Sequence, residues 1–201
     1  MIKSHHFPYF NLCMYNSSNE YTLTLFQANI FAVSFSFPFF LILYLPVRFM
    51  WSAKILAEGE EAFFNFLPWI IIVGIVGHEL IHGITWMAFL KKDLRAIKFG
   101  VKRLTPYCHC KIPISVRNYR RGIFMPFYIL GILPWSIALF TGSGFCLCFG
   151  ILFSIMAIGD IIGLFMLRNL DKNELVIDHP NKIGFIIHNL ENIKIDNQEI
   201  L

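Results

Sequence analysis

The chain has 201 residues, of which 56% are hydrophobic and only 15% are charged, and its formal net charge is +4. A soluble domain of this length is typically about half apolar and about one quarter charged, so this chain has too few charged residues to cover a soluble surface. The composition therefore excludes an ordinary soluble domain and predicts an integral membrane protein. Its five cysteines, an odd number, indicate no secreted disulfide framework.

Four segments are long and apolar enough to cross the hydrocarbon core of a membrane, which takes about 20 residues as a helix. They cover residues 29–45 (with an extension toward residue 50), 64–90, 122–141 and 145–167. Only Gly-Ser-Gly at 142–144 separates the last two, which predicts a tight antiparallel helical hairpin. We therefore expect an all-α polytopic membrane protein with about four transmembrane helices, whose first apolar segment is retained and not cleaved as a signal peptide.

The basic residues fall almost entirely on one side of this four-span topology. Ten of the 17 Lys and Arg lie in residues 91–121, and five more lie in the two terminal segments, which the topology places on the same side as this loop. That side therefore has 15 basic residues, and the other side has two. This positive-inside distribution places both termini and the basic loop in the cytoplasm. The predicted regions are a cytoplasmic arm (1–28), a membrane domain (29–168) with the basic loop (91–121), and a small cytoplasmic tail (169–201). In this position the loop is expected to contact anionic lipid headgroups of the bilayer and not nucleic acid.

The second span contains two histidines and a glutamate in the sequence HELIH, residues 78–82. His78 and His82 are four residues apart, so on a helix they share one face and can bind a single zinc ion. Glu79 can then reach the attacking water and act as the general base. A chance pattern explains the motif poorly, because each charged residue at the bilayer centre costs about 2.5–3.5 kcal/mol on insertion scales.

A catalytic zinc needs a third protein ligand, and Asp160 is the only other carboxylate within a predicted span. His82 lies eight residues before Leu90, and Asp160 lies eight residues before Arg168, each at the cytoplasmic end of its span. At about 1.5 Å per residue, both side chains lie about 12 Å from that boundary. Alternatively, Asp160 is an acid of the bundle interior that bonds to a serine or a backbone group, or that relays protons.

Three parts of the sequence resemble the zincin peptidase family of bacterial integral-membrane proteins, distant relatives of the site-2 proteases. They are HELIHGITW (78–86), LTPYCHCKIPI with YRRGIFMP (104–126), and a late GD (159–160) followed by VIDHPNKIG (176–184). The resemblance implies an intramembrane zinc metallopeptidase of the bacterial inner membrane, which hydrolyses membrane protein or peptide substrates. It also implies that His78, His82 and Asp160 hold the zinc, with Glu79 as the base.

Two functions of other classes use the same residues. A metal-ion carrier would bind its cargo with these three ligands, but it would need polar groups along a path, and residues 70–75 offer none. A non-catalytic scaffold that binds partner helices would have no use for Glu79 beside the ligands.

The sequence Cys108-His109-Cys110 is a weaker metal candidate. In an extended strand the two thiols share a face and His109 points away, which is poor spacing for zinc. We expect this segment in a cytoplasmic hairpin or re-entrant loop near the active site, where a strand edge can receive a substrate as an added strand. His179 and His188, in the tail, are interpreted as structural residues.

Overall fold

The computed structural model describes residues 15–17, 20–90, 94–102, 105–179 and 182–188. Helices make up most of this part of the chain: α1 (Leu25–Met50), α2 (Ala53–Asn65), α3 (Leu67–Phe89), α4 (Val116–Pro126), α5 (Leu133–Thr141), α6 (Gly144–Met156) and α7 (Ile158–Leu167). The described residues also form short strands: β1 (Tyr15–Ser17), β2 (Glu20–Leu23), β3 (Ile97–Lys102), β4 (Thr105–Cys110), β5 (Ile114–Ser115), β6 (Leu175–Asp178) and β7 (Ile183–His188). The predicted all-α fold is therefore correct for the main part of the chain, but it omits the strands.

Three helical segments of the described chain are long and apolar enough to cross a membrane: Phe26–Met50, Leu67–Phe89 and Val116–Thr141. A fourth crossing results if the bent pair α6 and α7 is counted as one span. Large apolar side chains on these helices point outward, and Phe26, Val33 and Phe140 are each more than 70% exposed. An outward-facing apolar surface of this extent is typical of helices that contact lipid.

The third span is longer than predicted, because its helix begins at Val116 instead of residue 122 and continues to Thr141. After Pro126 the backbone widens into a π-helical segment, Phe127–Ile132. Pro134 follows directly and has no N–H to continue the α-helical ladder. A widened turn is one way in which a helix accommodates a missing backbone hydrogen bond.

The predicted fourth span is divided into two helices, α6 and α7, which meet at Ala157 and are bent by 48°. Before it, Gly142 adopts the left-handed conformation with φ of 72°, and the Ser143 side chain caps the first turn of α6 by accepting from Cys146 N–H. Helices α5 and α6 pack against each other, as the Gly-Ser-Gly sequence predicts. The limits of the span were therefore predictable, and the break was not.

Helix α2 has no counterpart in the sequence-based prediction. It packs against α6 so closely that the two backbones touch. A Cβ atom on Gly59 would lie 2.5 Å from the backbone nitrogen of Phe145, and one on Gly144 would lie 1.9 Å from the carbonyl oxygen of Leu56. The pair of glycines is therefore required for this crossing.

Five of the strands form one antiparallel sheet in the order β1-β2-β7-β6-β5. Its registers pair Tyr21 with Phe185, Val176 with Ile187, and Ile114 with Val176. The sheet unites the segment before α1, the segment between α3 and α4, and the segment after α7. All three segments therefore lie at the same end of the helices. The remaining strands, β3 and β4, form a separate antiparallel hairpin.

Two groups of buried apolar side chains hold the described part together. One lies between the sheet and the helices that carry the candidate site, and it includes Trp86, Tyr119, Ile162, Val176 and Phe185. The other lies at the opposite end, and it includes Leu43, Val47, Leu56, Ala138, Leu147 and Ile151. Between them, Gly74 of α3 faces the ring of Phe153 in α6, and an added Cβ would lie 1.8 Å from that ring.

Candidate active site

Helix α3 brings His78 and His82 together on one face, as their spacing of four residues requires. Their Nε2 atoms are 3.2 Å apart, and the ring centroids are separated by 4.8 Å at an interplanar angle of 77°. His82 is buried, with 6% of its surface exposed. Two imidazole nitrogens thus face each other on a mainly apolar helix.

Asp160 joins the two histidines from the first turn of α7. Its Oδ2 lies 3.0 Å from Nε2 of His78, and its Oδ1 lies 3.5 Å from Nε2 of His82. The ligand atoms of the three residues all lie within 4.8 Å of one another. His82 and Asp160 were expected at the same level of their two helices, and in the structure Asp160 contacts both histidines.

The separations in this cluster fit a tetrahedral metal ion. Bonds of about 2.0–2.2 Å in a tetrahedral zinc site place the ligand atoms about 3.3–3.6 Å apart. Within the described residues, Oδ2 of Asp160 is buried and has no well-aligned hydrogen-bond donor, although Nε2 of His78 is near. A buried carboxylate oxygen without a donor requires some other partner. Two imidazoles and a carboxylate are a ligand set that suits zinc. His78, His82 and Asp160 can therefore hold a metal ion.

The ring of His82 is held in place from two sides. Its Nδ1 lies 2.9 Å from the carbonyl oxygen of Gly122, so Nδ1 carries the proton as donor and Nε2 is left to face the cluster. The ring also stacks on Trp86 at 5.3 Å, and Trp86 stacks on Tyr119 at 5.3 Å. A Cβ on Gly122 would lie 1.9 Å from Nε1 of Trp86, so glycine is required where α4 approaches α3.

Glu79 points to the hairpin formed by β3 and β4. The backbone N–H of Cys108 donates to Oε2 of Glu79 at 2.7 Å. Phe99 of β3 and Cys108 of β4 both lie over Gly83 of α3, where an added Cβ would come 2.2 Å from the Phe99 ring. Of the two forms predicted for the Cys108-His109-Cys110 segment, a hairpin or a re-entrant loop near the site, the structure shows the hairpin, and its cytoplasmic location stays a prediction.

In the hairpin, the Cys110 side chain is buried and the Cys108 side chain is partly buried. Burial raises the pKa of the Cys110 thiol to about 11, and burial also raises the pKa of the Cys108 thiol well above its usual range. Both thiols are therefore protonated near neutral pH in the metal-free protein. Neither cysteine belongs to the cluster of His78, His82 and Asp160.

Asp178 is a largely buried acid, with 13% of its side chain exposed, that the sequence alone did not indicate. Its Oδ1 accepts a hydrogen bond from the hydroxyl of Tyr119, and its Oδ2 accepts from the backbone N–H of Cys110 at 2.7 Å. Nδ1 of His109 lies 3.5 Å from Oδ2. Burial raises the pKa of Asp178, although the hydrogen bonds from Tyr119 and Cys110 act in the opposite direction. An acid in a polar tail carries no signal of burial, and only its place in the alternating sequence of β6 could have suggested it.

A family model described as "Putative zincin peptidase" matches residues 70–175, which is more than half of the chain. The match covers α3 from residue 70 onward and the whole of α7, and it therefore includes His78, Glu79, His82 and Asp160. Comparison with curated proteins and with solved structures gave no significant match. The name of the family suggests a zinc-dependent peptidase, in agreement with a cluster that can hold a metal ion. The chain belongs to the putative zincin peptidase family.

Proposed function

We propose that this protein is an intramembrane zinc metallopeptidase in which His78, His82 and Asp160 hold the zinc ion and Glu79 is the general base. One observation carries the proposal: three ligand atoms on two helices lie within 4.8 Å of one another, with Glu79 next in sequence to the first of them. A purely structural cluster would have no use for a base in that position.

When bound, zinc would supply a Lewis acid that polarises the scissile carbonyl and lowers the pKa of water to about 7. The protein provides the proton transfers. The Cys108 N–H holds Oε2 of Glu79, and the proposal assigns its other oxygen, Oε1, to the attacking water. Glu79 takes a proton from that water and later donates it to the leaving amine. Gly122 keeps His82 in the tautomer that offers Nε2.

The proposed location is the cytoplasmic half of the bacterial inner membrane. The strands before α1, between α3 and α4, and after α7 share one sheet, so helices that cross a membrane between them must do so an even number of times. Four crossings satisfy this condition. The 15-to-2 division of the basic residues then favours the cytoplasm for the sheet and for both termini.

The proposed substrate is an extended segment of a membrane protein or a peptide. The hydrogen bonds of a transmembrane helix shield its carbonyl groups, so a substrate helix must unwind before it can be attacked. The outer edge of β3 offers such a segment a strand to pair with, because within the described chain β3 pairs only with β4. Phe99 and Val101 on this strand are 44% and 68% exposed. Addition of a strand to an open edge is a common mode of peptide binding.

The metal content of the purified protein tests this proposal first. We expect about one zinc per chain, lost in His78→Ala and His82→Ala and much reduced in Asp160→Asn, because a neutral amide is a poor zinc ligand. His188→Ala is the matched control, since His188 lies in β7 and does not belong to the cluster. Elemental analysis after gentle purification measures each variant. Equal metal content in the wild type and in the three cluster variants would contradict the proposed site.

Cleavage of candidate single-span membrane proteins tests the reaction itself. The wild type should cut such a substrate, and the histidine variants should not. A metal-ion carrier or a scaffold would show the same metal content without cleavage, so both measurements are needed.

A further inference from the structure

Two carboxylates occupy the same edge of strand β4. The N–H of Cys108 donates to Glu79, and the N–H of Cys110, two residues later, donates to Asp178, each at 2.7 Å. Alternate N–H groups of a strand point to the same side. The N–H of Lys111 points to the other side, where it donates to the carbonyl oxygen of Ala96. The edge of β4 that faces away from β3 is therefore fixed by one acid from α3 and one from β6.

We propose that Asp178 is a positioning residue that sets, through β4, the location of the Cys108 N–H that holds the Glu79 carboxylate. Its effect on catalysis rests on the proposed function, since it requires Glu79 to be the base. Its effect on β4 does not.

Asp178 is suited to this role because it is itself rigidly held. It ends β6, which pairs with β5 on one side and β7 on the other. The Tyr119 hydroxyl donates to its Oδ1, and the Tyr119 side chain is only 4% exposed. Asp178 thus connects the sheet, α4 and β4 at a single carboxylate. Hydrogen bonds to a charged acceptor are among the stronger ones in proteins.

The hairpin, by contrast, has little support of its own. A two-stranded sheet is marginally stable alone, so β3 and β4 depend on contacts with the rest of the protein. The hairpin contacts α3 through the packing of Phe99 and Cys108 on Gly83 and through the hydrogen bond from Cys108 to Glu79. Ile97 and Cys110 add buried apolar contacts with the core. Because only one residue separates Cys108 from Cys110, a shift of β4 at Cys110 must also move the N–H that Glu79 uses.

The same arrangement connects Asp178 to the other half of the site. Tyr119 stacks on Trp86, and Trp86 stacks on His82. Loss of Asp178 therefore removes one hydrogen bond from Tyr119, but it leaves both stacking contacts and the bond between His82 and Gly122 in place. We accordingly expect the metal ligands to be less affected than Glu79.

The native cysteines report the position of β4 directly. In full-length protein reconstituted in lipid vesicles, alkylation of Cys108 and Cys110 is followed by peptide mass spectrometry in the wild type, Asp178→Ala and Asp178→Asn. Asp178→Ala should raise the alkylation rate of both thiols by about tenfold or more. Asp178→Asn, which removes the same negative charge from beside the thiols, should react well below the rate of Asp178→Ala, because an amide oxygen can still accept from the Cys110 N–H and hold β4 in place.

Two further variants complete this test. Glu79→Ala should raise the alkylation rate of Cys110, which Glu79 does not touch, if β4 transmits the effect in both directions. Glu20→Gln is the matched control: it removes a carboxylate from β2 of the same sheet, where Glu20 faces Lys182 at 3.3 Å. Its alkylation rates should equal those of the wild type.

Kinetic measurements then separate positioning from a structural effect. In Asp178→Ala we expect kcat to fall about tenfold, with KM and zinc content within twofold of the wild type, and Asp178→Asn to recover most of kcat. Two results would overturn the inference: a wild-type alkylation rate for Cys108 in Asp178→Ala, or raised alkylation with an unchanged kcat. If the wild type proves to be inactive or free of zinc, the proposed function fails, and the alkylation rates of Cys108 and Cys110 still decide whether Asp178 positions β4.

Discussion

Replacement of Glu79 by glutamine removes a proton acceptor and leaves the surrounding structure nearly unchanged. Glutamine has the same size, and its carbonyl oxygen can still accept the hydrogen bond that Cys108 N–H gives to Glu79 at 2.7 Å. The amide cannot take a proton from water. We therefore expect kcat to fall by about 10²–10⁴, the usual contribution of a general base, while zinc content stays at the wild-type value.

The alanine variant separates the two tasks of this side chain. Glu79→Ala also loses the acceptor, so the Cys108 N–H is left without its partner at a cost of about 1–3 kcal/mol. We expect it to unfold at a lower temperature than Glu79→Gln and to be at least as inactive.

The assay uses full-length protein in detergent or vesicles, with a single-span substrate at saturating concentration and zinc measured on the same preparation. A zinc-loaded Glu79→Gln protein that cleaves at the wild-type rate would refute the assignment of Glu79 as the base. Loss of zinc in that variant would refute the separation of Glu79 from the metal ligands.

Three other predictions address packing, substrate binding and topology. Gly74→Ala should lower the stability to unfolding by about 1–3 kcal/mol, because its Cβ meets an aromatic ring at 1.8 Å. Gly77→Ala, one turn along α3 with nothing within 4 Å, should be neutral or stabilising by up to about 1 kcal/mol, and equal shifts of the two variants in thermal unfolding would contradict this packing. Val101→Pro removes an N–H from the outer edge of β3 and should raise KM severalfold with kcat unchanged, whereas Val101→Thr should behave as the wild type; identical KM values would exclude that edge as the substrate site. A reporter fused to the C-terminus should be active in the cytoplasm, and periplasmic activity would reverse the proposed orientation.

The helical part of the site was predictable because its signals are local. The spacing of His78 and His82 fixes their common face once the segment is helical, and that follows from its length and apolarity. Asp160 was predictable for a different reason: a carboxylate in an apolar span is rare enough to demand a partner. The break at Ala157 was not predictable, since no proline marks it and an isolated glycine such as Gly159 is tolerated within a helix.

The sheet and the hairpin contacts depend on residues far apart in sequence. Nothing in the sequence of the tail identifies β2 as the partner of β7, because β2 precedes all four predicted spans in the chain and β7 follows them. For the same reason Asp178 could not be distinguished from the other acids of a polar tail. The spacing of residues in the sequence also cannot predict the contact between Cys108 and Glu79, because a backbone N–H of a strand donates to a side chain of a helix.

The five-stranded sheet also imposes an order on biosynthesis. The helices can enter a membrane one after another as the chain emerges. Strand β2 cannot pair until β7 has been synthesised, because Glu20 lies opposite Ile186 in their register. Closure of such a long loop is the slow, entropically costly part of folding. Until the last strands have been synthesised, Tyr119 and the Cys110 N–H have no carboxylate to bind. During translation, the three candidate metal ligands are therefore all synthesised before Asp178 can hold the strand beside Glu79.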